Sequence, residues 1–139
     1  MGKKRKGKYT AEETKAYDLR YKAQDFKQVG GIKYEWVDIT FYMIDHPKYK
    51  GLSGNAVKLY TYLRKWAYNS EMWKKTERFE YSQSLAQRDN IMSQAEAKRS
   101  LDELWKSGFI DKVGKGRKGT NIWKFSNRWY TGEAIVYVD

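Results

Sequence analysis

Apolar residues fall three and four apart along several stretches of this chain and alternate along others. Ala16, Leu19, Ala23 and Phe26 follow a 3-4-3 spacing, one narrow stripe on a helix predicted over residues 11–26. Thr10 followed by Glu13 is a capping-box signature at its start. Gly30-Gly31 then reads as a hinge. Residues 36–44 are rich in β-branched and aromatic side chains, which suits a strand, while the end of this stretch toward Pro47 equally suits a short helix. After Ser53, a good N-cap, Ala56, Leu59, Tyr60, Leu63, Trp66 and Ala67 predict a helix with one buried face, and Arg64 and Lys65 fall toward its other side.

The stretch from Phe79 to Val113 is the most informative. Phe79-Glu80-Tyr81 has a strand pattern, and Ser82 can cap a helix of about two turns with Leu85 and Ala86 inward. Asp89-Asn90 predicts a turn, because Asn tolerates the left-handed conformation, and Ile91 is a lone apolar anchor beside it. Ser93 and Glu96 form a second capping box, opening a helix with Ala97, Leu101, Leu104 and Trp105 on one face, and Gly108 stops it. Residues 109–113 and 122–125 are strand patterns. Short helix, turn, longer helix and hairpin make an α+β fold, a winged helix-turn-helix with a small antiparallel wing. The domain is expected over residues 32–130, after a basic arm and helix in residues 1–31. The tail, residues 131–139, alternates Ala134, Val136 and Val138 against Ile135 and Tyr137, which suits a strand added to a sheet edge.

Composition sharpens this. The 139 residues carry a net charge of +11, which attracts polyanions, nucleic acid foremost. Lys3, Lys4, Arg5, Lys6 and Lys8 make the N-terminus a basic arm with no apolar run behind it, so it does not read as a secretory signal. No apolar run approaches the ~20 residues of a membrane span. A cytoplasmic protein is expected, with no membrane partner. Cysteine is absent and His46 is the only histidine, which excludes a disulfide framework, a thiolate metal site and a histidine metal cluster. No Ser-His-Asp arrangement or acidic metal-spaced cluster is found, so neither catalysis nor a cofactor is expected. His46, before Pro47, reads as a turn residue.

"LSGNAVKLYTYL", "YSQSLAQ", "SQAEAKRSLDELWKSGFI" and "NIWKFSNRW" resemble, in order, the first helix, second helix, recognition helix and wing strands of bacterial winged-helix proteins. The similar kinds are DNA-binding domains of phage and plasmid replication initiators and replisome organisers, and small regulators of mobile elements. The resemblance covers about residues 36–130. It departs at "RDNIMS", where the family usually has an apolar residue and a glycine in the turn. It implies a non-enzymatic, sequence-specific binder of double-stranded DNA, acting in replication, transfer or regulation. The alternatives are a transcriptional regulator, an RNA-binding protein or a protein-interaction module of the same fold.

A recognition helix enters the major groove by its N-terminal residues, which selects Ser93, Gln94, Ala95, Lys98 and Arg99. Arg99 suits a guanine and Gln94 an adenine. Lys98 and Arg99 are equally spaced for solvent pairs with Asp102 and Glu103. A helical wheel points Ala95, Glu96, Arg99, Asp102, Glu103 and Lys106 outward, with Lys98 on the flank, and residues 93–107 are net neutral, so other segments must supply most of the electrostatic affinity. The wing offers Lys112, Lys115, Arg117 and Lys118 against Asp111, and the arm offers Lys3, Lys4, Arg5 and Lys6. Neutralising roughly five phosphates gives a slope of log K on log salt of about −4 to −5. Gly114, Gly116 and Gly119 match G-x-G-x-x-G, but a strand rather than a helix follows, so they turn a hairpin. Tyr60, Trp66, Trp105 and Phe109 read as core, and no paired surface aromatics suggest base stacking. Homodimers are expected through the stripe from Ala16 to Phe26 or through the tail, and other replication or transfer proteins are candidate partners.

Overall fold

The computed structural model describes residues 37–137. These residues belong to one compact unit, Val37–Asp139. The basic arm, the helix expected over residues 11–26, the Gly30-Gly31 hinge and the last two residues lie outside the described part.

Thr40 opens the described unit as an N-cap, its hydroxyl accepting from Met43 N at 3.2 Å. Helix α1, Phe41–Asp45, follows, so the strand alternative for this stretch is not taken. His46 ends α1 in an extended conformation, as a residue before proline must. Its Nδ1 then accepts from Lys48 N at 3.1 Å and caps α2, Pro47–Lys50, so it is a turn residue as expected. Ser53 caps α3, Gly54–Tyr68, which buries Ala56, Leu59, Tyr60, Leu63 and Ala67. The next helix, α4, Glu71–Thr76, has no apolar periodicity to announce it; it is capped by Ser70.

Strand β1, Phe79–Glu80, leads into α5, Gln83–Arg88, and α6, Gln94–Lys106. Strands β2, Ile110–Lys115, and β3, Asn121–Phe125, form the hairpin. The antiparallel sheet has the order β1-β3-β2, with Phe79 opposite Trp123 and Ile110 opposite Phe125. These four side chains face the helices because a strand directs alternate residues to one face. The result is an α+β architecture, with seven helices and three strands among the described residues. Its layout is compatible with a winged helix.

The core lies between α3, α6 and the inner face of the sheet, with Tyr60, Phe79, Tyr81, Leu104 and Phe109 fully enclosed. Trp66 and Trp105, expected inside, are only half-buried. The Trp66 indole donates to Glu80 O at 2.7 Å, which holds the ring at the sheet margin. The Trp105 ring sits against Trp123 and Tyr137, at 6.0 and 5.4 Å between centroids. Arg64 also departs from a solvent-facing role. Its guanidinium lies 3.9 Å over the Phe125 ring and donates to Tyr60 Oη at 2.7 Å. After β3 the chain forms a short helix, α7, Arg128–Thr131. Beyond it, residues 132–137 join no sheet, so the tail is not an edge strand over its described part.

Gly108 controls how α6 hands over to the sheet. Its φ is +91°, and a Cβ there would stand 2.4 Å from Trp129 N, where α7 crosses. Gly108→Ala combines left-handed strain of ~1–2 kcal/mol with a backbone clash, so a loss of about 3 kcal/mol is expected. Gly119, with φ +79° but open surroundings, should lose only about 1 kcal/mol on the same change. Urea unfolding of both variants checks this; equal losses would contradict it.

Candidate nucleic-acid interface

Helices α5 and α6 are joined by a turn that the sequence sets locally. Asn90 takes φ 58°, a left-handed position that Asn tolerates at modest cost. Ile91 N then donates to Ala86 O at 2.9 Å, closing the turn, and the Ile91 side chain packs on the core. Asp89 secures the turn from outside. It accepts from Arg88 Nε at 2.9 Å and from Tyr62 Oη on α3 at 2.8 Å. The Arg88 hydrogen bond, then that of Tyr62, holds the Asp89 carboxyl below its ordinary range.

Helix α6 starts with a complete capping box. Ser93 Oγ accepts from Glu96 N at 3.2 Å, and Glu96 Oε1 accepts from Ser93 N at 3.2 Å. The Ser93 backbone N–H, then its hydroxyl, then Asn55 of α3, hold the Glu96 carboxyl low. Asn55 Nδ2 donates to Glu96 Oε2 at 3.2 Å. Farther along, Glu103 accepts from both Ser53 N and Ser53 Oγ at 2.7 Å. Glu96 and Glu103 therefore do not face freely outward, as the helical wheel expects. They turn toward the start of α3, where a carboxylate meets unpaired N–H groups and the positive end of the helix.

That corrects the charge of the exposed face. Asp102 pairs with Lys106 at 3.0 Å. Glu103 is held by Ser53, and Lys98 and Arg99 have no carboxylate pair among the described residues. Ser93, Gln94, Ala95, Lys98 and Arg99 are all exposed. Ser93, though exposed, has its hydroxyl engaged in the cap, where it also donates to Glu96 Oε1 at 3.0 Å. Gln94 is tied to α5, its Nε2 donating to Gln87 Oε1 at 2.7 Å. Gln87 is missing from the sequence-derived set, because only the fold brings it to the start of α6.

The β2–β3 hairpin carries the second group. Gly116 N donates to Thr120 O at 2.7 Å and Gly119 N to Gly116 O at 3.0 Å, a tight turn that needs the positive φ of Gly119. Lys115, Arg117 and Lys118 stand exposed around it. Lys112 does not join them at the tip. It is half-buried, opposite Trp123, with Nζ 5.7 Å from the Trp105 ring. Asp111 does not oppose the cations either, being bound to Arg128 at 2.7 Å. An acidic group missed by the sequence reading does lie near the hairpin. The Glu80 carboxylate sits where a Cβ on Gly116 would be 2.5 Å away. Lys3, Lys4, Arg5 and Lys6 lie outside the described residues.

One aromatic group contradicts the expectation that surface pairs are lacking. Phe41 is 85% exposed, and Tyr42 and Tyr130 are 59% and 57% exposed with ring centroids 5.3 Å apart. They lie on α1 and α7, too far apart in sequence for periodicity to pair them. Among the described residues no His, Cys, Asp and Glu group could hold a metal, and no helix is long and apolar enough to cross a membrane.

Asp89 and Glu96 both have folded-state carboxyls below their ordinary values. Their contribution to stability is therefore complete above the ordinary carboxylate range, about pH 4, and is lost as pH falls through and below it. Asp89→Asn and Glu96→Gln should each lower the unfolding midpoint at pH 7 and match the parent near pH 2. Thermal unfolding across that interval tests this; a gap independent of pH would contradict it. Comparison with protein-family models, with curated protein sequences and with solved structures finds no match for this chain.

Proposed function

We propose that the described unit is a winged helix-turn-helix that reads double-stranded DNA without catalysing a reaction. The observation that carries this is the exposed row Gln94, Ala95, Lys98 and Arg99 on the first half of α6, its two cations in no direct ion pair among the described residues, although Arg99 lies close enough to Glu96 to help hold that carboxyl low. Helix α6, ~20 Å long and ~10–12 Å across, is the size of object a major groove ~12 Å wide admits. In this reading Arg99 donates to guanine O6 and N7, and Ala95 meets a thymine methyl. Lys98 and the hairpin cations Lys115, Arg117 and Lys118 hold phosphates. Lys112 is a weaker contributor, given its place over Trp105. The N-terminal cations Lys3, Lys4, Arg5 and Lys6 add phosphate or minor-groove contacts. Pairing of two copies on an inverted repeat belongs to the same proposal, as does a role in replication, transfer or regulation of a mobile element.

A second reading has one observation in its favour. Phe41, Tyr42 and Tyr130 form an exposed group on which single-stranded bases can stack. Duplex, single-stranded DNA and RNA competitors separate the two readings. Tyr42→Ser with Tyr130→Ser lowers single-strand affinity under the second reading and leaves duplex binding unchanged under the first.

Under the first reading, selection from a random duplex library returns a defined motif. Arg99→Ala then relaxes preference at one base pair by about 1–3 kcal/mol. Replacing Lys115, Arg117 and Lys118 together by Ala leaves the motif intact and makes the salt slope shallower by about 2 to 3. Gel-shift titrations over a range of salt measure both. Equal binding to duplex, single strand and RNA at moderate salt would sink sequence reading.

A further inference from the structure

We infer that Gln87 is a specificity-determining positioning residue: by binding the Gln94 amide it makes Gln94 a reader of adenine in preference to guanine. The inference rests on the DNA-binding reading above and deepens it.

The observation is the 2.7 Å bond from Gln94 Nε2 to Gln87 Oε1, between two exposed side chains on different helices. A glutamine amide has two N–H donors and one carbonyl acceptor. Free in solvent, it rotates about several bonds and offers either end, or two donors, to a base edge. The bond to Gln87 commits one N–H. What Gln94 keeps is one N–H and Oε1. Adenine presents one acceptor, N7, and one donor, N6, in the major groove; guanine presents two acceptors, N7 and O6. The remaining groups of Gln94 complement adenine fully and guanine only by half. Holding the amide in place also removes part of the ordering cost that a long, flexible side chain meets on binding.

The fold explains why the two side chains meet. Gln94 is the first residue of α6, fixed by the Ser93–Glu96 capping box. Gln87 lies just before the turn whose angle is set by Asn90 in the left-handed region and by Tyr62 holding Asp89. Those contacts place the amide of one helix within reach of the other. Gln87 keeps both of its own N–H donors, and in this inference it acts on the base through Gln94.

The experiment is selection from a random duplex library with the full chain and three variants: Gln94→Ala, Gln87→Met and Gln87→Glu. The expected result is a motif with one adenine whose preference over guanine is lost in Gln94→Ala. In Gln87→Met, similar in length but without the acceptor, the ratio at that position alone falls by about fivefold or more, with other positions unchanged. Gln87→Glu, which retains an acceptor, restores the ratio even if its added charge weakens binding throughout, because the ratio is taken within one variant. Unchanged adenine preference in Gln87→Met overturns the inference and leaves the DNA-binding reading standing, as does a motif with no adenine dependent on Gln94. No selected motif for the parent chain overturns both.

Discussion

The docking of α6 on α3 is the constraint on which the remaining geometry depends. Ala56 on one helix and Ala97 and Ser100 on the other are buried and small, so the backbones approach closely. Leu101 and Leu104 then reach the shared core with Tyr60 and Phe109. The polar ends of this contact are matched too: Glu103 takes both donors of Ser53, and Glu96 meets Asn55. Rotating α6 would break those bonds and expose its apolar side together. The face carrying Gln94, Lys98 and Arg99 is therefore exposed as a consequence of what the opposite face must bury.

The same packing distributes charge. Carboxylates close to the exposed helix and hairpin are largely engaged: Asp89 with Arg88 and Tyr62, Asp102 with Lys106, Asp111 with Arg128. Most of these contacts are on the surface and contribute little to stability individually. Asp111–Arg128 differs, because Arg128 is nearly enclosed and also donates to Trp105 O and Ile110 O. That cation fastens α7 to the hairpin and the end of α6. A stretch that counts as neutral in sequence thus presents Lys98 and Arg99 in no direct ion pair among the described residues. Glu80, beside Gly116, is an acidic group the fold brings to the base of the hairpin turn.

Local chemistry made much of this fold legible. Ser53, Ser82 and Ser93 cap the helices they were expected to cap, because capping acts within one turn. The turn at Asn90 and the stop at Gly108 were readable for the same reason: each needs a backbone conformation that few residues adopt easily. The hairpin glycines were readable from the strands on either side. Helix α4 and the choice of helix over strand at α1 were not, since short elements carry too few residues for periodicity to decide between them.

The sequence by itself determined α3, the run from β1 through α5 and α6 to the hairpin, and which residues lie at the start of α6, because spacing, caps and turns are short-range. Only the tertiary structure decided the partners: that Glu103 holds Ser53, that Arg64 lies over Phe125, that Lys112 sits over Trp105 and that Gln87 meets Gln94. Those depend on the angle between helices and on the register of the sheet. Both are fixed by the whole core closing at once, which no local pattern encodes.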